Sequence, residues 1–373
     1  PAADRPALIR RMRSPMDGMY PFIPGGPDRF AMHEGTFGFP VEGADEQLRA
    51  GLGELEEARV RERVEAGIHQ AARALTAADP GLVLPGELTV LVTLGDPTDN
   101  HFMEEIQGLS AFGGIPGFIE LTLWPNRVVC ARIEAIAAHE FHHNVRYGQG
   151  GIVWDPMAVA LGEQIVAEGL ADAFARELHG RRGYTHFALP CLGDDAAVAK
   201  VISGMEITGM WNFTPWVLGD ASARRFGAAP VGLPTGAGYA AGNRIVDAYL
   251  EWCGTTAASS VHTDWRVVAE AGVTALDVTN RFGFGRESQI PLTVTPSVFP
   301  TGADSAQLAM SSIGQYTVQT TPLQMAQVAQ TVANDGQMMS PYLIASIVDA
   351  DNQVVRSSSP TDAGRPISAE TAS

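Results

Sequence analysis

His139, Glu140 and His143 carry the clearest chemistry in this chain. They stand in the run Ala135-Ile136-Ala137-Ala138-His139-Glu140-Phe141-His142-His143-Asn144, which contains H-E-x-x-H. Side chains four residues apart on a helix share a face, one turn apart. Two imidazoles so placed can hold one Zn²⁺, and the intervening glutamate then lies beside the metal, where it can take a proton from water. A catalytic zinc site keeps three protein ligands and one open position, so the motif calls for a third ligand elsewhere. The alternative is a buried helix whose histidines are satisfied by hydrogen bonds. His142 points about 100° away from His143 around the helix and is not read as a ligand.

Glu168 is the candidate third ligand, 25 residues after His143. That interval allows one helix to end at Gly148, a loop to turn, and a second helix to return. Asp155-Pro156 reads as the start of the second helix and Gly180 as its stop. Asp172 lies one turn after Glu168, where its carboxylate can accept the free N–H of a metal-binding histidine. Ile165, Val166, Leu170, Ala171 and Phe174 make this helix largely apolar, which favours a site over a solvated acidic face.

H-E-x-x-H followed by E-G-x-x-D on the next helix resembles the gluzincin metallopeptidases. More closely, HEFHHNVRY, VAEGLADAFARELHG and GYAAGNRIVDAYLEWCG resemble the bacterial predicted Zn-dependent proteases of the YjaZ-like type, over roughly residues 1–270. The resemblance implies that the strand before the zinc helix, within Ala111–Trp124, borders the cleft and pairs with extended substrate; an ordinary core strand is the alternative. It also implies that the helix opened by Gly238-Tyr239 lies near the site, so that Tyr239 donates its O–H to the oxyanion of a tetrahedral intermediate; a core tyrosine is the alternative.

The elements that must position these groups are legible in outline. Asn126 reads as the cap of the zinc helix, with Val128, Val129, Ile133, Ile136 and Ala137 on its apolar side. Residues 44–76 have apolar spacing for one or two amphipathic helices, and Leu88–Leu94 reads as a strand stopped by Gly95-Asp96-Pro97. Residues 1–43 are rich in Pro, Gly and Met and show no clear period. Trp211, Phe213 and Trp216 cluster in a loop-rich stretch, as a packed loop or as part of a pocket.

The net charge of −17 argues against nucleic acid or an anionic membrane as a partner. Three cysteines, Cys130, Cys191 and Cys253, lie far apart without C-x-x-C and indicate neither a disulfide framework nor a thiolate site. No run of about 18 apolar residues suggests a membrane span. The first residues do not read as a signal peptide and lack an initiator Met, so the expected location is cytoplasmic, with an N-terminus that is not complete.

From about residue 271 the character changes. Arg281-Phe282-Gly283-Phe284-Gly285, Ile290-Pro291-Leu292, Ser311-Ser312-Ile313-Gly314-Gln315, Thr321-Pro322-Leu323-Gln324-Met325-Ala326 and Val332-Ala333-Asn334-Asp335-Gly336 resemble the transpeptidase domain of class B penicillin-binding proteins. That chemistry needs S-x-x-K and K-T-G motifs. The single lysine is Lys200, and neither motif occurs in these residues.

The expected architecture is therefore α+β: a zincin-like metallopeptidase domain over 1–270, then a fragment of a transpeptidase domain over 271–373 without its catalytic motifs. The expected function is hydrolysis of a peptide or protein substrate, with Zn²⁺ on His139, His143 and Glu168, Glu140 as base and Tyr239 assisting. The alternatives are a non-catalytic zinc-containing binding or regulatory protein, and a peptidoglycan-related protein acting through the C-terminal segment.

Overall fold

The computed structural model describes residues 4–284, 290, 292–297, 319–367 and 369–372. Gly285, Pro291 and Ser311–Gln315 of the transpeptidase-like motifs lie outside the described residues. The chain divides into two units, one of residues 1–247 with 256–269, the other of 248–255 with 270–373.

In the first unit, helices α1 (Arg5–Arg13), α2 (Arg29–Gly35), α3 (Asp45–Glu57) and α4 (Val60–Ala78) precede strands β1 (Thr89–Leu94), β2 (Leu109–Ile115) and β3 (Phe118–Leu123). Then come α5 (Arg127–Cys130), α6 (Ile133–Arg146), α7 (Leu161–His179), α8 (Asp195–Ser203), α9 (Thr214–Val217), α10 (Asp220–Arg225), α11 (Ala237–Cys253) and α12 (Trp265–Arg281), the last two crossing the unit boundary. The sheet order is β1-β3-β2, with β1 parallel and β2 antiparallel to β3. Central β3 is buried on both faces: Ile119, Leu121 and Leu123 alternate with Glu120 and Thr122, all removed from solvent. Glu120 survives there because Arg13 grips both its oxygens at 2.7 Å and Thr36 donates to it at 2.8 Å, as a buried carboxylate requires.

From Asp4 on, the aperiodic N-terminal stretch packs onto the sheet. Met16, Met19 and Tyr20 form a cluster with Met32, Leu91, Ile115 and Phe118. The stretch holds α1 and α2, joined through short 3₁₀ turns at Ser14–Met16 and Tyr20–Phe22, each with an early proline, and these interrupt any long helical period.

Helix α6 is buried at every residue but Glu134. It packs against α4, α7, β2 and β3, and its buried polar side chains are the ones that bond across those contacts or converge on the site. Two expected boundaries moved. Asn126 caps the single turn α5 by accepting from Val129 N–H, and the chain leaves helical geometry at Arg132 before α6 begins. Asp155 makes a local turn, accepting from Met157 N–H at 2.9 Å. Ala160 is then extended and bridges Thr208, so α7 starts at Leu161; local side-chain bonds and a strand-like bridge outcompete helix there.

The second unit holds a helix over Pro322–Ala333, capped by Thr321, and two antiparallel strand pairs: β4 (Met338–Met339) with β7 (Asp362–Gly364), and β5 (Ser346–Val348) with β6 (Val354–Ser357).

Candidate metal centre

Helices α6 and α7 pack directly, and each turns one polar face toward the other. His139 Nε2 and His143 Nε2 approach to 3.1 Å, and Glu168 Oε2 lies 3.1 Å from the first and 3.3 Å from the second. All three side chains are buried, and among the described residues they form the group of His, Cys, Asp or Glu whose ligand atoms converge closely enough for a metal ion. Ligand atoms held about 2.0–2.1 Å from a tetrahedral metal stand roughly 3.3 Å from one another. The observed spacings and the two-imidazole, one-carboxylate donor set therefore fit such an ion.

The residues around this group are tied in turn. Asp172 Oδ1 accepts from His139 Nδ1 at 2.9 Å and from Thr185 Oγ1 at 2.9 Å; Asp172 Oδ2 accepts from Thr185 N–H at 3.0 Å and from Asn243 Nδ2 at 2.7 Å. Gln164, one turn before Glu168, donates to Glu168 Oε1 at 2.6 Å, which leaves Oε2 for the histidines. Burial opposes charge on His139, yet its bonds to Asp172 and Glu168 hold its pKa well above the ordinary value. Burial opposes ionisation of Glu168 too, but His143 and His139 win and depress its pKa. For Glu140 burial dominates and raises the pKa against the pull of His139 and His143. His142 is buried outside the cluster, beside Phe174, and burial drives its pKa well down.

Tyr239, at the start of α11, has its ring 6.5 Å from that of His139 and 5.3 Å from that of Phe187. Burial, then the charges of Glu168 and Glu140, raises its pKa well above the ordinary value, so its O–H stays a donor. Glycines let α7 and α11 meet: a Cβ on Gly169 would lie 2.2 Å from Gly242 O.

Residues Ala111–Trp124, expected as a Gly-rich turn entering one strand, are a hairpin. The edge strand over the site is β2, built from the turn residues, while β3 is central. Strand β2 presses on α6 so closely that a Cβ on Gly113 would lie 2.2 Å from Glu140 O. Asn144 clasps the hairpin: its Oδ1 accepts from Gly117 N–H at 2.8 Å, and its Nδ2 reaches Gly113 O, Ile115 O and Phe118 O at 2.8–3.0 Å. Arg146 and Glu163 pin α6 to α7 through two parallel bonds of 2.7 Å. Arg63 does the same between α4 and Glu134, at 2.6 and 2.5 Å. Sequence reasoning missed Asn144, Arg146, Glu163, Gln164 and Asn243. Helical spacing alone flags Gln164 beside Glu168 and Asn243 beside Tyr239; for the others no local signal exists.

Two cavities open on the centre, of about 270 and 390 Å³. They share Ser110, Ala111, Glu140 and Tyr239, so together they run along β2 past the site. Of the aromatic loop, Phe213 is buried, Trp211 is exposed, and neither lines these cavities; Met210 and Trp154 do.

A buried His-His-Glu group on two packed helices, beside a sheet whose edge strand lies across it, defines a zincin-like domain. The chain belongs to the family described as predicted Zn-dependent protease (DUF2268), which matches residues 68–269; a penicillin-binding protein transpeptidase domain matches residues 260–373. It is 32% identical to the uncharacterized protein YjfC of Bacillus subtilis over 178 residues, 47% of this chain and 59% of that protein. It is 36% identical to the peptidoglycan D,D-transpeptidase PbpA of Mycolicibacterium smegmatis over 163 residues, 43% of this chain and 30% of that protein. The chain thus spans less than two thirds of either relative. Among solved structures, PBPA of Mycobacterium tuberculosis is 34% identical, with a TM-score of 0.25, covering 29% of this chain and 24% of that one.

Proposed function

We propose that residues 1–270 form a zinc peptidase in which His139, His143 and Glu168 hold the metal. The observation that carries this reading is the convergence of three buried ligand atoms with Glu140 beside them, in a cleft walled by an edge strand. A bound Zn²⁺ supplies Lewis acidity, making water nucleophilic near neutral pH and drawing charge from the scissile carbonyl. Strand β2 offers backbone N–H and C=O groups to an extended peptide. Glu140 takes the proton of the attacking water and delivers it to the leaving amine. Its burial-raised pKa suits both halves of that transfer. Tyr239 donates its O–H to the developing oxyanion, and Asp172 fixes the orientation of the His139 ring.

Metal content tests the assignment. The purified protein is expected to hold about one zinc per chain. The double variant His143→Ala, Glu168→Ala should hold none, and Asp172→Ala should bind zinc roughly 10- to 100-fold more weakly. Full zinc occupancy in the double variant, read by elemental analysis, refutes the ligand set.

A role at peptidoglycan would rest on the transpeptidase-domain match over residues 260–373 and on the similarity to PbpA. Acylation by a β-lactam requires a serine with its activating lysine. These 373 residues hold neither S-x-x-K nor K-T-G. Incubation with penicillin is expected to leave the intact mass of the chain unchanged; a stoichiometric penicilloyl adduct is the contrary result.

A further inference from the structure

We propose that the smaller cavity is a carboxylate-binding subsite, built by Arg132 and Arg182, for a negative group of the peptide on the C-terminal side of the scissile bond. The assignment of that side rests on the proposed peptidase activity; the affinity for a carboxylate does not.

Direction comes from β2. A peptide added antiparallel to this edge strand, the slightly more stable pairing, runs from Ile115 toward Leu109. The larger cavity lies along Gly113–Ile115 and takes the N-terminal part, against Met32 and Trp154. The smaller one lies at Leu109–Ala111 and takes the residues beyond the scissile bond.

Charge then selects the occupant. The chain carries 25 basic against 42 acidic residues, and its arginines around the core are paired: Arg13, Arg63, Arg146 and Arg176 each hold a carboxylate. Arg132 and Arg182 both line the smaller cavity, and neither makes an ion pair among the described residues. Arg132 donates through one terminal nitrogen to Val128 O at 3.0 Å, while its Nε is buried with no hydrogen-bond partner among the described residues. Burial, then the like charge of Arg182, pulls its pKa below the ordinary value. Burial and Arg132 push the pKa of His186, in the same cavity, down to about 4. The nearby Asp172 is already engaged by His139, Thr185 and Asn243. Two unpaired guanidinium groups beside one cavity in an acidic protein repel each other until an anion arrives, and guanidinium matches a carboxylate in a two-bond fork. Phe37 and Phe187 supply apolar wall for the rest of the residue.

The carboxylate has two sources: the free C-terminus of the substrate, or an Asp or Glu side chain. The test measures binding to full-length zinc-loaded protein carrying Glu140→Gln, which holds peptides without turnover. Three short acetylated peptides share one sequence: a free acid with neutral side chains, an amide with Asp near its end, and an amide with Asn there. At least one anionic peptide should bind roughly 10- to 100-fold more tightly than the neutral amide. The free acid leading indicates action near chain ends; the Asp amide leading indicates side-chain specificity. Added Arg132→Gln or Arg182→Gln should each remove most of the preference, and Arg132→Lys should keep part of it. Arg182 is exposed, so its replacement is readable even if Arg132→Gln impairs folding. Equal binding of the three peptides, no binding of any, or a preference that survives Arg182→Gln undiminished would overturn the subsite. If wild-type protein cleaves the neutral amide while binding shows no anion preference, the peptidase reading stands and the subsite falls. Anion preference in binding with no hydrolysis of any peptide leaves the subsite standing and removes the peptidase.

Discussion

Glu140→Gln is expected to retain zinc and lose on the order of 10²–10⁴-fold in kcat. Glu140 is buried against the cluster, and its carboxylate is not among the converging ligand atoms. The amide is nearly isosteric, so the contacts of α6 with β2, including the close approach of Gly113 to the Glu140 backbone, should persist. The one thing lost is a group that can accept a proton. The loss should therefore fall on kcat far more than on KM, because the proton moves in the transition state. Zinc content and steady-state rates on one preparation make the comparison. Unchanged turnover with full zinc would mean that another group is the base.

The second large effect concerns stability. Arg146 and Glu163 are among the most buried charged side chains in the first unit, with 0% and 4% of their side chains exposed. The guanidinium also donates to Val261 O at 2.7 Å and Thr263 O at 3.1 Å. Glu163→Ala leaves that cation buried without its counter-charge and should cost about 3–5 kcal/mol. Zinc affinity should fall as well, since Arg146 lies one turn after His143, and Glu163 lies between the start of α7 and Glu168. The double replacement Arg146→Met, Glu163→Leu removes both charges and should recover part of the loss, because apolar side chains need no counter-ion although Val261 O and Thr263 O lose their donor. Urea unfolding of the three proteins decides it. If Glu163→Ala unfolds at the wild-type urea concentration, the pair is not a clamp between the helices.

Asn144 shows why such clamps escape a linear reading. It immediately follows the second motif histidine and looks like an ordinary helix residue, yet it holds four backbone groups of the β2–β3 hairpin. The Gly-rich run Gly113-Gly114 carries a turn signal in isolation. In the fold it is an irregular part of strand β2, where the pairing with β3 shifts register between Phe112 and Ile115, and the missing Cβ of Gly113 lets β2 lie against the backbone of α6. Asp155-Pro156 erred the other way: a good helix start by composition, it was taken over by an Asx turn and a bridge to Thr208.

The sequence by itself determined the donor types and the local geometry. His139 and His143 share a face, as do Glu168, Asp172 and Gln164, because a turn of helix depends only on neighbours in the chain. It also determined the acidic balance, the two-part resemblance and the missing nucleophile motifs. Tertiary structure decided which faces met. The closure of Glu168 onto the two histidines, the bond from Asp172 to His139, the edge position of β2 and the pairing of Arg146 with Glu163 join residues 17 to 33 positions apart or cross between elements. It also decided that Arg132 and Arg182 line one cavity, neither with an ion pair among the described residues. Long-range partners depend on how apolar faces and buried charges are satisfied together, a condition on the whole core that no window of sequence contains.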